Sequence, residues 1–128
     1  MRKKLLIVAG LFISSAAFAQ FMRVEGEFIS PTVSGQIILL DPEKGIVAAK
    51  TEVVSGSCSG TVSGIGQIKG HTLTFSPYVK AEGAVECLIT MSFDPTWKQV
   101  KILGQGCSSY SGGACGWEGQ TATRRRAK

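Results

Sequence analysis

The chain holds one histidine, His71, and four cysteines with no close Cys-x2–4-Cys pair, and each scarcity closes off a class of chemistry. A side-chain nucleophile needs a base and an orienting partner, so any Cys–His couple would have to run through His71. Structural zinc sites usually bring one closely spaced ligand pair, whereas Cys58, Cys87, Cys107 and Cys115 are separated by 28, 19 and 7 residues. There is no Gly-Lys-Ser/Thr, so the glycines at 60, 64, 66 and 70 do not read as a phosphate loop. They read instead as positions where a strand face must stay flat for a close neighbour. After Gln20 the chain lacks any apolar run of membrane-spanning length, and it lacks a stretch of 3.6-residue periodicity. The expectations are no cofactor, no metal and no transmembrane segment.

Basic charge is also scarcer than the formal +5 implies. Arg2, Lys3 and Lys4 sit at the start, and Arg124, Arg125, Arg126 and Lys128 crowd the end. Between Gln20 and Thr123 seven basic side chains face nine acidic ones. A nearly neutral body argues against a specific nucleic-acid partner. The terminal cluster repels itself and has no apolar face, so residues 124–128 are expected to be a disordered basic tail with weak attraction to anionic surfaces.

What is present at the start is an export signal. A charged opening, the apolar run Leu5 to Ile13 and the small-x-small exit Ala17-Phe18-Ala19 predict a signal peptide over residues 1–19, cleaved before Gln20. No Cys follows that site, so lipid anchoring is not expected. Export to the periplasm or beyond places four thiols in an oxidising compartment, where an even count predicts two disulfides. Proximity favours Cys107 with Cys115 and Cys58 with Cys87, closing loops worth about 2.6 and about 3.6 kcal/mol. Four cysteines permit three connectivities.

The region 20–123 reads as one all-β domain. Strands are expected over Phe21–Ile29, Gln36–Leu40, Ile46–Val54, Cys58–Ile68, His71–Phe75, Ala84–Phe93, Lys98–Leu103 and Cys115–Thr123. Leu73 and Phe75 alternate with Thr72 and Thr74, and Cys87, Ile89, Met91 and Phe93 alternate with Leu88, Thr90 and Ser92. Asp41-Pro42-Glu43-Lys44-Gly45 is a hairpin turn, with Pro setting one backbone angle and Gly the left-handed closing one. About eight short strands at this spacing predict a small antiparallel sandwich or barrel.

Two groups of residues invite a functional reading. Gly56-Ser57-Cys58-Ser59-Gly60 has the spacing of a nucleophile elbow, but that device needs a following helix, and strand-like residues follow instead. Glu25 with Glu27, and Glu82 with Glu86, read as solvated surface rather than an acid–base pair. The better candidate is Ser108-Ser109-Tyr110-Ser111-Gly112-Gly113-Ala114, small and hydroxyl-rich between two cysteines. A pre-ordered loop loses little entropy on binding, and Tyr is a favoured contact residue. Trp117 joins it as an amphipathic contact candidate, although Trp97 and Trp117 both suit a core. The expected contact set is therefore Ser108, Ser109, Tyr110, Ser111, Gly112, Gly113 and Trp117.

The run from Cys107 through Cys115-Gly116-Trp117-Glu118-Gly119 resembles the ending of small exported proteobacterial β-proteins, some loosely similar to periplasmic lysozyme inhibitors. Those share a Cys, a short Gly-Ala-containing loop, a second Cys, then an aromatic and a Gly two residues apart. The Ser-Gly-x-basic-Tyr loop of the membrane-bound lysozyme inhibitors is absent, so no inhibitory residue carries over. A compact stapled β scaffold, a presentable loop at Ser108 to Ala114 and no assembled catalytic set lead to the expectation of an exported, non-enzymatic binding protein with a protein partner, of inhibitor or immunity type against a cell-wall hydrolase. The contrasting expectation is an accessory envelope protein attached through its sheet edge or basic tail.

Overall fold

A computed structural model describes residues 23–126. The signal-like segment 1–19, residues 20–22 and Lys128 lie outside the described residues.

Inward apolar positions at every second residue, broken by tight turns, produce eight strands: β1 (Gly26–Ile29), β2 (Val33–Asp41), β3 (Ile46–Ser55), β4 (Cys58–Lys69), β5 (Thr72–Phe75), β6 (Leu88–Phe93), β7 (Gln99–Gln105) and β8 (Glu118–Arg124). One four-residue helix, α1 (Ser108–Ser111), lies between β7 and β8. Each strand pairs antiparallel with the next, and β1 pairs with β8, so the sheet closes into a barrel in simple up-and-down order. The sandwich alternative is thereby set aside.

An eight-stranded barrel has an interior just wide enough for side chains to fill. Phe28, Ile37, Val47, Leu73, Ile89, Met91 and Ile102 occupy it and are almost wholly shielded from water. The period-two pattern of β5 and β6 emerges as expected, with Leu73, Phe75, Ile89, Met91 and Phe93 inward. Outward positions carry Lys50, Ser63, Gln67, Thr72, Ser92 and Lys101. Apolar inside and polar outside is the reverse of a membrane-spanning barrel. Among the described residues no helix is long and apolar enough to cross a membrane.

The turn at 41–45 has the predicted chemistry. Asp41 Oδ1 accepts the amides of Glu43 and Lys44, and Gly45 takes φ +69°. The β6–β7 turn is less expected. Asp94 Oδ1 accepts the amides of Lys98 and Gln99 at 2.8 and 2.9 Å, and Thr96 donates to Oδ2. The turn leaves Trp97 at φ +61°, a left-handed conformation unusual for a bulky residue. Burial offsets that strain. The Trp97 ring is almost fully covered, stacked on His71 at 4.4 Å and tilted against Phe93 at 5.2 Å.

The basic end is a correction. Arg124 and Arg125 do not belong to a disordered tail. The phase of β8 turns Gln120, Ala122 and Arg124 inward and leaves Thr121 and Thr123 outside. Arg124 therefore folds over the barrel rim, with its guanidinium 4.5 Å from the centre of the Phe28 ring. Its Nε donates to the Trp97 carbonyl, Nη1 to that of Glu25 and Nη2 to that of Arg23. Burial, and then the neighbouring Arg23 charge, push its pKa below the usual value. Arg125 continues the seam through its amide to Glu27 O and through an exposed pair with the Glu27 carboxylate at 3.3 Å.

Replacing Arg124 by Ala strips donors from three carbonyls and uncovers Phe28. Urea unfolding should show a loss of about 2 kcal/mol. Arg125→Ala, which breaks only an exposed ion pair, should lose under about 1 kcal/mol. Equal losses would contradict the seam role of Arg124.

Asp94 gives a pH dependence. Its hydrogen bond from Thr96, then that from the Gln99 amide, hold its pKa at about 2, against 3.8 when unperturbed. A carboxylate depressed in the folded state stabilises fully above its unfolded pKa and loses that contribution as pH falls through the folded one. The stability gap between the parent and Asp94→Ala should be constant above about pH 5 and narrow between pH 3.8 and about 2. Urea midpoints measured for both proteins across that window check it.

Candidate functional site

Strand direction alone brings the four cysteines together. β4, β6 and β8 begin, and β7 ends, at one end of the barrel, and Cys58, Cys87, Cys107 and Cys115 all sit there. All four are oxidised, as Cys58–Cys115 and Cys87–Cys107. The nearest-neighbour pairing is thus wrong. Leu88 pairs with Gln105 across β6 and β7, which sets Cys87 beside Cys107. The chain then turns through α1 over the mouth of the barrel and delivers Cys115 onto the first residue of β4.

The segment Ser108–Ala114 is therefore fastened across the barrel instead of closing on itself. Cys107 ties its start to the entry of β6, and Cys115 ties its end to β4. In the middle, the Ala81 amide donates to the Tyr110 hydroxyl at 3.1 Å. The Ser111 hydroxyl donates to the Cys115 carbonyl at 2.7 Å. α1 rests directly on β4 at Gly60, where an added Cβ would fall 2.5 Å from Tyr110 O. A close-packed neighbour is what the spaced glycines of that strand predict, and Gly64 repeats it against the Ser76 carbonyl.

Of the expected contact residues, Ser108, Ser109, Gly112 and Gly113 are exposed, together with Ala114. Tyr110 and Ser111 are half-buried and serve as fasteners. A cleft of about 270 Å³ is lined by Gly106, Ser108, Ser111, Gly113, Gly116 and Glu118, among others. Trp117 is a correction: it is 3 % exposed and belongs to the core. Its indole N–H donates to Thr51 Oγ1 at 3.1 Å, and the Thr51 hydroxyl donates to Ser34 O at 2.7 Å. Among the described residues Thr51 is the buried polar one of the barrel wall, and this relay satisfies it. Sequence reasoning missed Thr51 and Ala81, because neither has a local signature and both matter only through partners distant in sequence.

Cys58 and His71 lie at opposite ends of β4, with Cys58 in a disulfide, so the elbow-like motif is not assembled. Of the basic end, Arg126 is exposed, while Arg124 and Arg125 bond to the barrel itself. The chain matches no protein-family model, no curated protein and no solved structure.

The two disulfides differ in what they hold. Cys58–Cys115 spans 57 residues and Cys87–Cys107 spans 20, worth about 4 and about 3 kcal/mol by loop entropy. A Cys58→Ser/Cys115→Ser double variant should lose about that larger amount on denaturation. Hydrogen exchange should also quicken at residues 109–116 while β6 and β7 stay protected. Unchanged exchange in the segment would show that it is held without the bridge.

Proposed function

We propose that this is an exported, non-enzymatic binding protein, periplasmic or secreted, which presents Ser108–Ala114 to a protein partner. The observation that carries the reading is the three-point fastening of that segment while Ser108, Ser109, Gly112 and Gly113 stay exposed. Such a segment is ordered before binding, so little conformational entropy remains to be lost on association. Two disulfides suit an oxidising compartment, in keeping with the signal-like start. The partner class that best suits a small stapled barrel with a rigid exposed loop is an envelope enzyme. A cell-wall hydrolase inhibitor or immunity-type protein is the specific form proposed.

The accessory-protein alternative relies on a sheet edge or a basic tail. The closed barrel has no free edge strand, and two of the four basic end residues bond to their own fold. Anionic-surface contact would then rest on Arg126 and on Lys128, which lies outside the described residues.

The test is inhibition and capture with lysozymes and with the host's murein hydrolases. At least one should be bound, and Ser109→Arg or Gly113→Arg should weaken binding by about tenfold or more; Ser109 is exposed and a Cβ added at Gly113 meets nothing within 4 Å, so both substitutions spare the core. Lys101→Ala, on the barrel wall, should leave binding unchanged. Failure to bind any hydrolase, or indifference to both arginine substitutions, would overturn the reading.

A further inference from the structure

The outer face of β2, β3 and β4 gathers several of the barrel's exposed large apolar residues. Register sets Ile38 beside Ala48 and Ala48 beside Ile65, an apolar row across three strands. Leu40 extends it along β2, Tyr78 lines its side from the β5–β6 connection, and Val79 follows Tyr78 in the chain. Ile38, Leu40 and Ile65 are 51 %, 53 % and 48 % exposed, and Tyr78 and Val79 are each 79 % exposed. These side chains together expose on the order of 500 Å² of apolar surface, near the top of what a monomer ordinarily shows.

The shape of the patch indicates its occupant. Ala48 is a low point between two isoleucines, and the hollow it floors has a volume of about 360 Å³. Tyr78 stands at the side of that hollow as a knob. Its backbone is fixed, because its amide donates to Ser63 O at 2.9 Å. Knob and hollow on one face are what an isologous interface requires, since each copy must supply both. The polar border has the same property. Lys50 and Glu52 stand on one side of the row, paired at 3.0 Å, so a two-fold copy can set each charge against its opposite. A uniformly anionic lipid surface would meet Glu52 unfavourably.

We infer that this face is a two-fold interface between copies of the chain, with Tyr78 of each copy entering the hollow over Ala48 of the other. Two such patches with their polar borders would bury roughly 1,200–1,600 Å², within the range of specific, stable interfaces. Backbone pairing is closed to this protein because its sheet has no free edge, so association has to use a side-chain face. The inference is independent of the segment at Ser108–Ala114.

Sedimentation equilibrium of the oxidised protein from about 1 μM to about 500 μM tests it, since a dimer must grow with concentration. Tyr78→Ala and Ile65→Lys should each raise the dimer dissociation constant by about tenfold or more. Leu103→Lys, an exposed apolar residue on β7, should not change it. Near-ultraviolet circular dichroism of Trp97 and Trp117 reports folding of each variant, and Tyr78→Ala alters only a solvent-facing side chain. A monomer throughout the range, or a dimer indifferent to both substitutions, would overturn the inference. So would a monomer that sediments with phosphatidylglycerol vesicles through this face.

Discussion

A meander of eight antiparallel strands carries two unpaired edges until its first and last strands meet, and here they meet over only two residue pairs, Phe28 with Arg124 and Ile29 with Thr123. Every other strand junction is local in sequence, so among the strand pairings this one carries the largest loop-entropy cost. Two ladder pairs are little to set against it. The Arg124 side chain adds three hydrogen bonds to carbonyls of the β6–β7 turn and of the segment before β1, and it covers Phe28. Closure thus depends on a cation at the rim, and closure is also what removes the edges through which β-proteins aggregate.

That dependence explains why composition alone misplaces the basic end. Four positive charges in five residues signal repulsion and solvent exposure when taken as a cluster. Strand phase assigns them individually. Arg124 inherits the inward direction of Ala122, and Arg125 finds Glu27 across the seam. Neither assignment is visible until β1 and β8 are known to be neighbours, and no local pattern announces that. By contrast, the alternation in β5 and β6 and the Asp41–Gly45 turn were legible, because their causes lie within a few residues. Closed barrel against sandwich was not, for the same reason as the seam.

The cysteines teach the same point with numbers. By loop entropy alone the pairings differ by only a kcal/mol or two, so proximity in sequence is a weak guide. Topology decides between them: the register of β6 on β7 fixes Cys87 beside Cys107, leaving Cys58 and Cys115 to bridge the mouth. The candidate segment was legible as a small, hydroxyl-rich stretch between cysteines, but its anchoring was not. Tyr110, a contact candidate by residue type, serves as a fastener to Ala81. Trp117, adjacent to the loop in sequence, instead fills the barrel, its indole satisfying Thr51.

The two ends of the barrel consequently solve one problem by different means. At the Arg124 end, Trp97, His71, Phe93 and Phe28 plug the opening as a stacked aromatic set under a guanidinium, and strain at Trp97 is tolerated because its ring is buried. At the cysteine end, α1 and two disulfides cover the mouth with small polar residues whose own burial contributes little. A covalent lid needs few apolar contacts to stay in place, so its outer residues are released from packing duty. Ser108, Ser109, Gly112 and Gly113 can therefore face solvent in a fixed arrangement.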